Sequence, residues 1–209
     1  MSEPIGIRKT EPMTENRRDR NRELTRGVIL QAAREEFSKS GYADAQLSRI
    51  VEAAGVTTGA VYHHFGDKKG LFIAVAHVVE ESLFEEVLRV SAVQKDRWAQ
   101  VRTGMAMILS MAVEDNVRRI VFVDAPTVIG PAEWREIELQ YAFGAMVETL
   151  NVLKKEGRLL ATDTRVTAQI LLGAVTEAAN AVAQSDNSSR ALKDARRTLE
   201  ALFKALEKE

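Results

Sequence analysis

Thr57, Thr58, Gly59, Ala60, Tyr62, His63, His64 and Lys68 fall in one short run of the chain. Two hydroxyls and two very small residues come first, then a phenol, two imidazoles and an ammonium group. Such a set suits hydrogen bonding to phosphates and base edges, and the small residues at a helix start let another molecule come close to the helix N-terminus. Bond-breaking chemistry would need a convergent acid, base or nucleophile. The 209 residues contain three His and no Cys, and two of those His already lie in this run. The third, His77, has Glu81 at i, i+4, which supplies two metal ligands and not a site. No Walker or dinucleotide-binding glycine pattern occurs. An enzyme, a cofactor, a metal centre and a disulfide framework are therefore not expected.

Positioning these side chains requires short helices. Leu47, Ile50, Val51 and Ala54 repeat at helical spacing after a possible Asp44 cap, and Gly55 supplies a left-handed turn. Thr57 then caps a helix carrying Ala60, Val61 and Phe65, which makes a helix-turn-helix. Before it, Leu24, Val28, Ile29, Ala32, Ala33 and Phe37 predict a helix over about 25–40, closed by Gly41. After it, Asp67 caps a long fourth helix running to about Ser91, and Asp96 a fifth through Trp98, Val101, Met105, Ile108 and Leu109. Asn116 begins a sixth that Pro126 stops. Pro131 opens a seventh, with Lys154 and Lys155 before Gly157 at its end. An eighth helix spans about 164–183, and a ninth starts near Ser189. No segment shows strand alternation, so the fold class is all-α with about nine helices.

Charge is nearly balanced, with 29 Lys and Arg against 30 Asp and Glu. It is unevenly placed: Arg17, Arg18, Arg20, Arg22 and Arg26 are opposed only by Asp19 and Glu23. This is either a basic arm that reaches phosphates or a solvated tail. No apolar stretch is expected to span a membrane and the N-terminus lacks an apolar signal core, so the expected location is cytoplasmic. The eighth helix, with Ile170, Leu171, Leu172, Ala174, Val175, Ala178, Ala179 and Val182, is apolar nearly all round and needs cover on more than one side. A second copy of the chain packing its eighth and ninth helices there is the expected cover, and burial within the chain's own domain is the alternative.

Gly41, Tyr42, Ala45, Ile50, Ala54, Gly55, Val56, Thr57, Gly59, Val61, Tyr62, His64, Phe65, Lys68 and Leu71 follow the spacing of one family signature, and on them the chain resembles the TetR family of transcriptional regulators. The resemblance implies residues 1–20 as a flexible basic arm, 21–70 as a helix-turn-helix DNA-binding domain and 71–209 as a regulatory domain for ligand binding and dimerisation. It implies that Arg49, Thr58, Ala60 and His63 face base edges of double-stranded operator DNA. Gln46, Thr57, Tyr62, His64, Lys68 and the arginines of the arm would contact the backbone, with Gly59 allowing close approach. Gln46 departs from the signature, standing where Ser or Thr is usual, and Val51 stands for a customary Ala. The expected protein is a homodimeric regulator, most simply a repressor released by a small, largely apolar effector. A helical adaptor that does not bind DNA is the alternative.

The regulatory half is less explicit. Trp98, Met105, Met107, Met111, Trp134, Tyr141 and Met146 are large, adaptable apolar side chains suited either to a ligand pocket or to plain core. Gln169, Gly173, Thr176, Glu177 and Asn180 form a polar stripe on the eighth helix that would orient a ligand's polar groups or simply face water. Asp124-Ala125-Pro126 leading to Trp134-Arg135 resembles a segment of the regulatory domain in one subgroup of these regulators, although a helix stop and a helix start explain it equally well.

Overall fold

The computed structural model describes residues 14–161 and 163–208. In chain order the elements are α1 (Thr14–Asp44), α2 (Leu47–Ala54), α3 (Thr58–Phe65), α4 (Lys68–Ser91), α5 (Arg97–Met111), α6 (Asp115–Val117), a π-helical segment (Arg118–Asp124), α7 (Ala125–Val128), α8 (Pro131–Lys155), α9 (Thr164–Ala183) and α10 (Ser188–Leu206). Among the described residues there is no strand, only an isolated bridge between Leu159 and Glu207.

Local chemistry sets several of the helix starts. Thr57 Oγ1 accepts the Ala60 N–H at 3.3 Å, Asp67 Oδ1 the Gly70 N–H at 2.7 Å and Asp96 Oδ1 the Ala99 N–H at 2.9 Å. Each bond satisfies a donor that the first turn leaves open, worth about 0.5–2 kcal/mol against alanine. The boundary of α2 differs from expectation: its cap position is Gln46, with no side-chain bond, rather than Asp44.

Three further expectations are corrected. The first helix begins at Thr14, not near residue 25, so Arg17, Arg20, Arg22 and Arg26 sit on a helix. The part of the expected flexible arm from Thr14 to Arg20 is therefore helical, and the rest of it lies outside the described residues. A polar, arginine-rich stretch has no apolar rhythm to announce a helix, yet Arg and Glu are good helix formers once the apolar turns from Ile29 onward are docked. Pro126 does not stop a helix but sits in the first turn of α7, where its missing N–H costs nothing. At Gly41, as expected, regular winding breaks, with φ 76° and ψ 167°.

One core runs through both halves, with α4 as the shared element. Toward the N-terminus Phe37, Ile50, Val61, Leu71 and Phe72 are fully buried; toward the C-terminus Trp98, Leu109, Ile120, Leu150, Leu153, Leu171 and Phe203 are. Helix α9 buries Ala168, Leu171, Leu172, Val175, Ala179 and Val182 but leaves Ile170 60% and Val166 51% exposed. Against expectation, this 20-residue helix is long and apolar enough by composition to cross a membrane. Its buried face packs instead on α8, α10 and α5.

Candidate nucleic-acid interface

Helix α3 is anchored by one buried side chain, Val61, with Phe65 packed beside the core. The small first turn follows from this: α3 needs little apolar surface inward, so its other faces are free. Thr57, Thr58, Gly59, Tyr62 and His63 are exposed, Ala60 and His64 half-buried. Gln46, the cap residue of α2, and Arg49 within it are exposed as well.

Cations gather round this surface. Arg26 lies over the Phe65 ring at 5.4 Å, and the His63 and His64 rings stand 5.4 Å apart. Partial burial first, then the positive charges of His63, Arg22 and Arg26, hold the His64 imidazole below its ordinary pKa, with Glu23 acting the other way. Arg22 and Arg26 thus belong to the same electrostatic neighbourhood as α3, which sequence order alone hides.

Two expected contact residues are held by partners. Arg49 pairs at 3.7 Å with Glu36, whose carboxylate also accepts the Gln46 N–H and the Ser40 hydroxyl at 3.2 Å each. Lys68 Nζ donates to the Ala43 carbonyl at 3.2 Å and lies 4.9 Å from the centre of the Tyr42 ring. Tyr42 in turn packs on Phe72 and Phe37, with ring centres 5.1 Å and 6.1 Å away. Lys68 is therefore part of the corner at residues 40–45 as well as of the exposed surface.

That corner is also held from the regulatory half. Asp124 Oδ2 accepts the Tyr42 N–H at 2.8 Å, and an Arg119 guanidinium nitrogen donates to the Ser40 carbonyl at 3.1 Å. A Cβ at Gly41 would run into the Arg119 guanidinium, so this position needs glycine both for its positive φ and for space.

Residues of the same π-helical segment, Val121 and Phe122, line a cavity of about 150 Å³ among α4, α5, α8 and α9. Its wall is mostly apolar, including Leu83, Phe84, Val87, Met105, Ile108 and Met146. Of the residues singled out for a ligand pocket, Met105, Met146 and Thr176 line it. Trp98 and Trp134 are buried core, and Trp98 Nε1 donates to the Arg158 carbonyl at 3.1 Å. Tyr141 faces His77, 3.2 Å from hydroxyl to Nδ1. Met111 packs against the core, Glu177 points to solvent, and Asn180 is half-buried outside the cavity wall. The expected polar stripe is thus divided among three environments.

The cavity's charged wall was not anticipated. Glu80, Arg135 and Glu138 line it together with Thr176. Arg135 reaches Glu138 and the Thr176 hydroxyl at 3.4 Å each, and the Gln169 carbonyl at 3.3 Å. The available signal was Glu80 itself, an acid at helical spacing with Leu83, Phe84 and Val87 on a stripe of α4 that is otherwise apolar.

Two family models match the chain: "Bacterial regulatory proteins, tetR family" over residues 29–75, and "Tetracyclin repressor-like, C-terminal domain" over 98–206. A TetR-family transcriptional regulator from Pectobacterium atrosepticum has a similar structure, with 31% identity, a TM-score of 0.82 and coverage of 91% of this chain and 97% of that one. The HTH-type transcriptional repressor AcnR of Corynebacterium glutamicum is 36% identical over 118 residues, or 52% of this chain. The chain spans 61% of that relative's length. FadR from Bacillus subtilis, solved in complex with stearoyl-CoA, shares the fold at 19% identity and a TM-score of 0.68, covering 84% of this chain and 96% of that one. The first model falls on the helix-turn-helix and the second on the helices that enclose the cavity, and with both halves matched in their expected order the chain belongs to the TetR family.

Proposed function

We propose that the protein is a homodimeric, sequence-specific DNA-binding regulator that represses transcription and leaves its operator when a small, largely apolar molecule enters the α4–α5–α8–α9 cavity. The observation that carries this reading is the exposed N-terminal face of α3, small and polar, with Arg22 and Arg26 in the electrostatic neighbourhood of its His64. Thr58, Ala60, His63 and Arg49 read base edges; Gln46, Thr57, Tyr62, His64, Lys68 and the exposed arginines of α1 hold the backbone, with Gly59 allowing close approach. Residues 21–70 act as the reading head and 71–209 as the sensing and dimerising part. The outward face of α9, with Val166 and Ile170 exposed, is closed by the same face of a second copy together with α10. Two heads related by that symmetry read half-sites about 34–36 Å, or a multiple, apart. Operator DNA places the working protein in the cytoplasm.

A ligand acts through two struts that meet at residues 40–45. Helix α4 lines the cavity and begins at Lys68, while the π-helical segment lines it with Val121 and Phe122 and grips Ser40 and Tyr42 through Arg119 and Asp124. Displacing either strut re-aims the reading head, and by linkage operator DNA weakens ligand binding by the same factor, typically about 5–150-fold. Selection from a random duplex library tests the first part. A pseudo-palindrome bound with a steep salt dependence is expected; a protein that stays monomeric and enriches no sequence overturns the reading in favour of a helical adaptor.

A further inference from the structure

The wall of the cavity holds two carboxyls against one guanidinium. Arg135 is matched by Glu138 at 3.4 Å, which leaves Glu80 as the unmatched acid. Glu80 Oε2 is shut off from solvent and has no hydrogen-bond partner. Burial first, then the neighbouring Glu138, push the Glu80 carboxyl up to about 8. Glu138 is also raised, by burial, against the pull of Arg135. Among the described residues the only other buried side-chain oxygen without a partner is Ser91 Oγ, which lines the same cavity. A buried carboxyl oxygen left without a partner costs stability, so an occupant that supplies the partner recovers that cost on binding.

Resting on the ligand-released regulator described above, we infer that the cavity selects a small apolar molecule bearing one protonated amine, with the ammonium group held by the Glu80 carboxylate and the hydrocarbon part by Leu83, Phe84, Met105 and Met146. Three ligand classes meet this wall differently. An anion faces two carboxyls and a guanidinium that is already paired. A neutral molecule gains only what a protonated Glu80 donates. A monocation gives Glu80 a charge-assisted partner and makes the whole set of Glu80, Glu138, Arg135 and ligand neutral. The size fits, since an apolar cavity of about this volume holds a benzene-sized ring.

The test is calorimetry on the full-length protein with benzylamine and n-hexylamine, each against its isosteric alcohol, benzyl alcohol and n-hexanol. Near pH 7 Glu80 begins protonated, so ammonium binding releases close to one proton per ligand, read from the dependence of the binding heat on buffer ionisation; alcohol binding releases none. The amines are expected to bind at least tenfold more tightly than the alcohols, and Glu80→Gln to remove that preference while keeping alcohol binding. Glu80→Gln matches the protonated acid in shape, and retained alcohol binding confirms that its cavity is intact. Alcohols binding as tightly as the amines, no proton release, or an amine preference that survives Glu80→Gln would each overturn the inference. The calorimetry uses no DNA. Failure to select a duplex would remove the regulator reading and leave the amine result standing, whereas release of a selected duplex by the alcohols alone would remove the amine and leave the regulator.

Discussion

Asp124 accepts the backbone N–H of Tyr42 at 2.8 Å across 82 residues of sequence. This bond joins a segment that lines the cavity to the corner from which α2 and α3 depart, and the Tyr42 ring is itself clasped by Phe37, Phe72 and Lys68. The expected Asp-Ala-Pro segment thus has a mechanical place, with its aspartate facing the reading head rather than the cavity.

Replacing Asp124 by Ala removes a hydrogen bond to a charged acceptor, worth about 1.5–3 kcal/mol. Hydrogen exchange at the Tyr42 amide is expected to accelerate at least about tenfold, with amides in α10 unchanged. Equal acceleration throughout the chain would mean that the bond supports the whole fold and not the junction.

Arg49 and Lys68 are expected to differ in kind. Arg49→Ala should relax preference at one base pair, costing about 1–3 kcal/mol on the preferred duplex and little on others. Lys68→Ala should weaken binding evenly across sequences and lower the salt slope by about 0.9. Binding isotherms at several salt concentrations, on the selected duplex and a scrambled one, separate the two patterns.

His64 gives a pH signature with a definite sign. Its folded pKa lies below the ordinary 6.5, so between those values the unfolded chain binds more protons than the folded one. Stability therefore falls as pH drops from above 6.5 through the folded value. Phosphates placed beside Arg22 and Arg26 neutralise the positive charges that add to the effect of burial on His64, so DNA binding is expected to take up a proton and to tighten as pH falls from about 7.5 to 6. Titrations of His64→Gln should lack both slopes.

Ile170→Glu places a charge on the exposed face of α9, where the side chain is 60% exposed in the single chain. Sedimentation should find monomers at micromolar concentration, with helicity kept and affinity for a two-half-site duplex reduced at least about a hundredfold. A variant that remains dimeric would move the interface off this face.

The parts legible in the sequence were those fixed by near neighbours. Thr57, Asp67 and Asp96 cap the helices they precede because capping bonds span only three residues. The Gly41 break was legible because a glycine there closes an apolar rhythm. The early start of α1 was not, since Arg17 to Arg26 carry no such rhythm and their helix is propagated from turns that dock further on. Nor was the cavity: Trp98 and Trp134 looked like pocket residues because size and polarisability mark core and pocket alike. Glu80, Arg135 and Glu138 become neighbours only when α4 packs on α8.

The winding of residues 118–124 decides what that segment can hold. Arg119 and Asp124 are five positions apart, the hydrogen-bond span of a π-helix, which brings both round toward the same corner of α1. In an ordinary α-helix five steps would part them by about 140° around the axis and let only one reach it. The grip is a matter of phase as much as of side-chain identity. Substitutions that tighten the segment into α-helical pitch at full length would disengage one hand while leaving both residues in place. Loss of a single residue between them would restore the match, because at α-helical pitch positions four apart share a face.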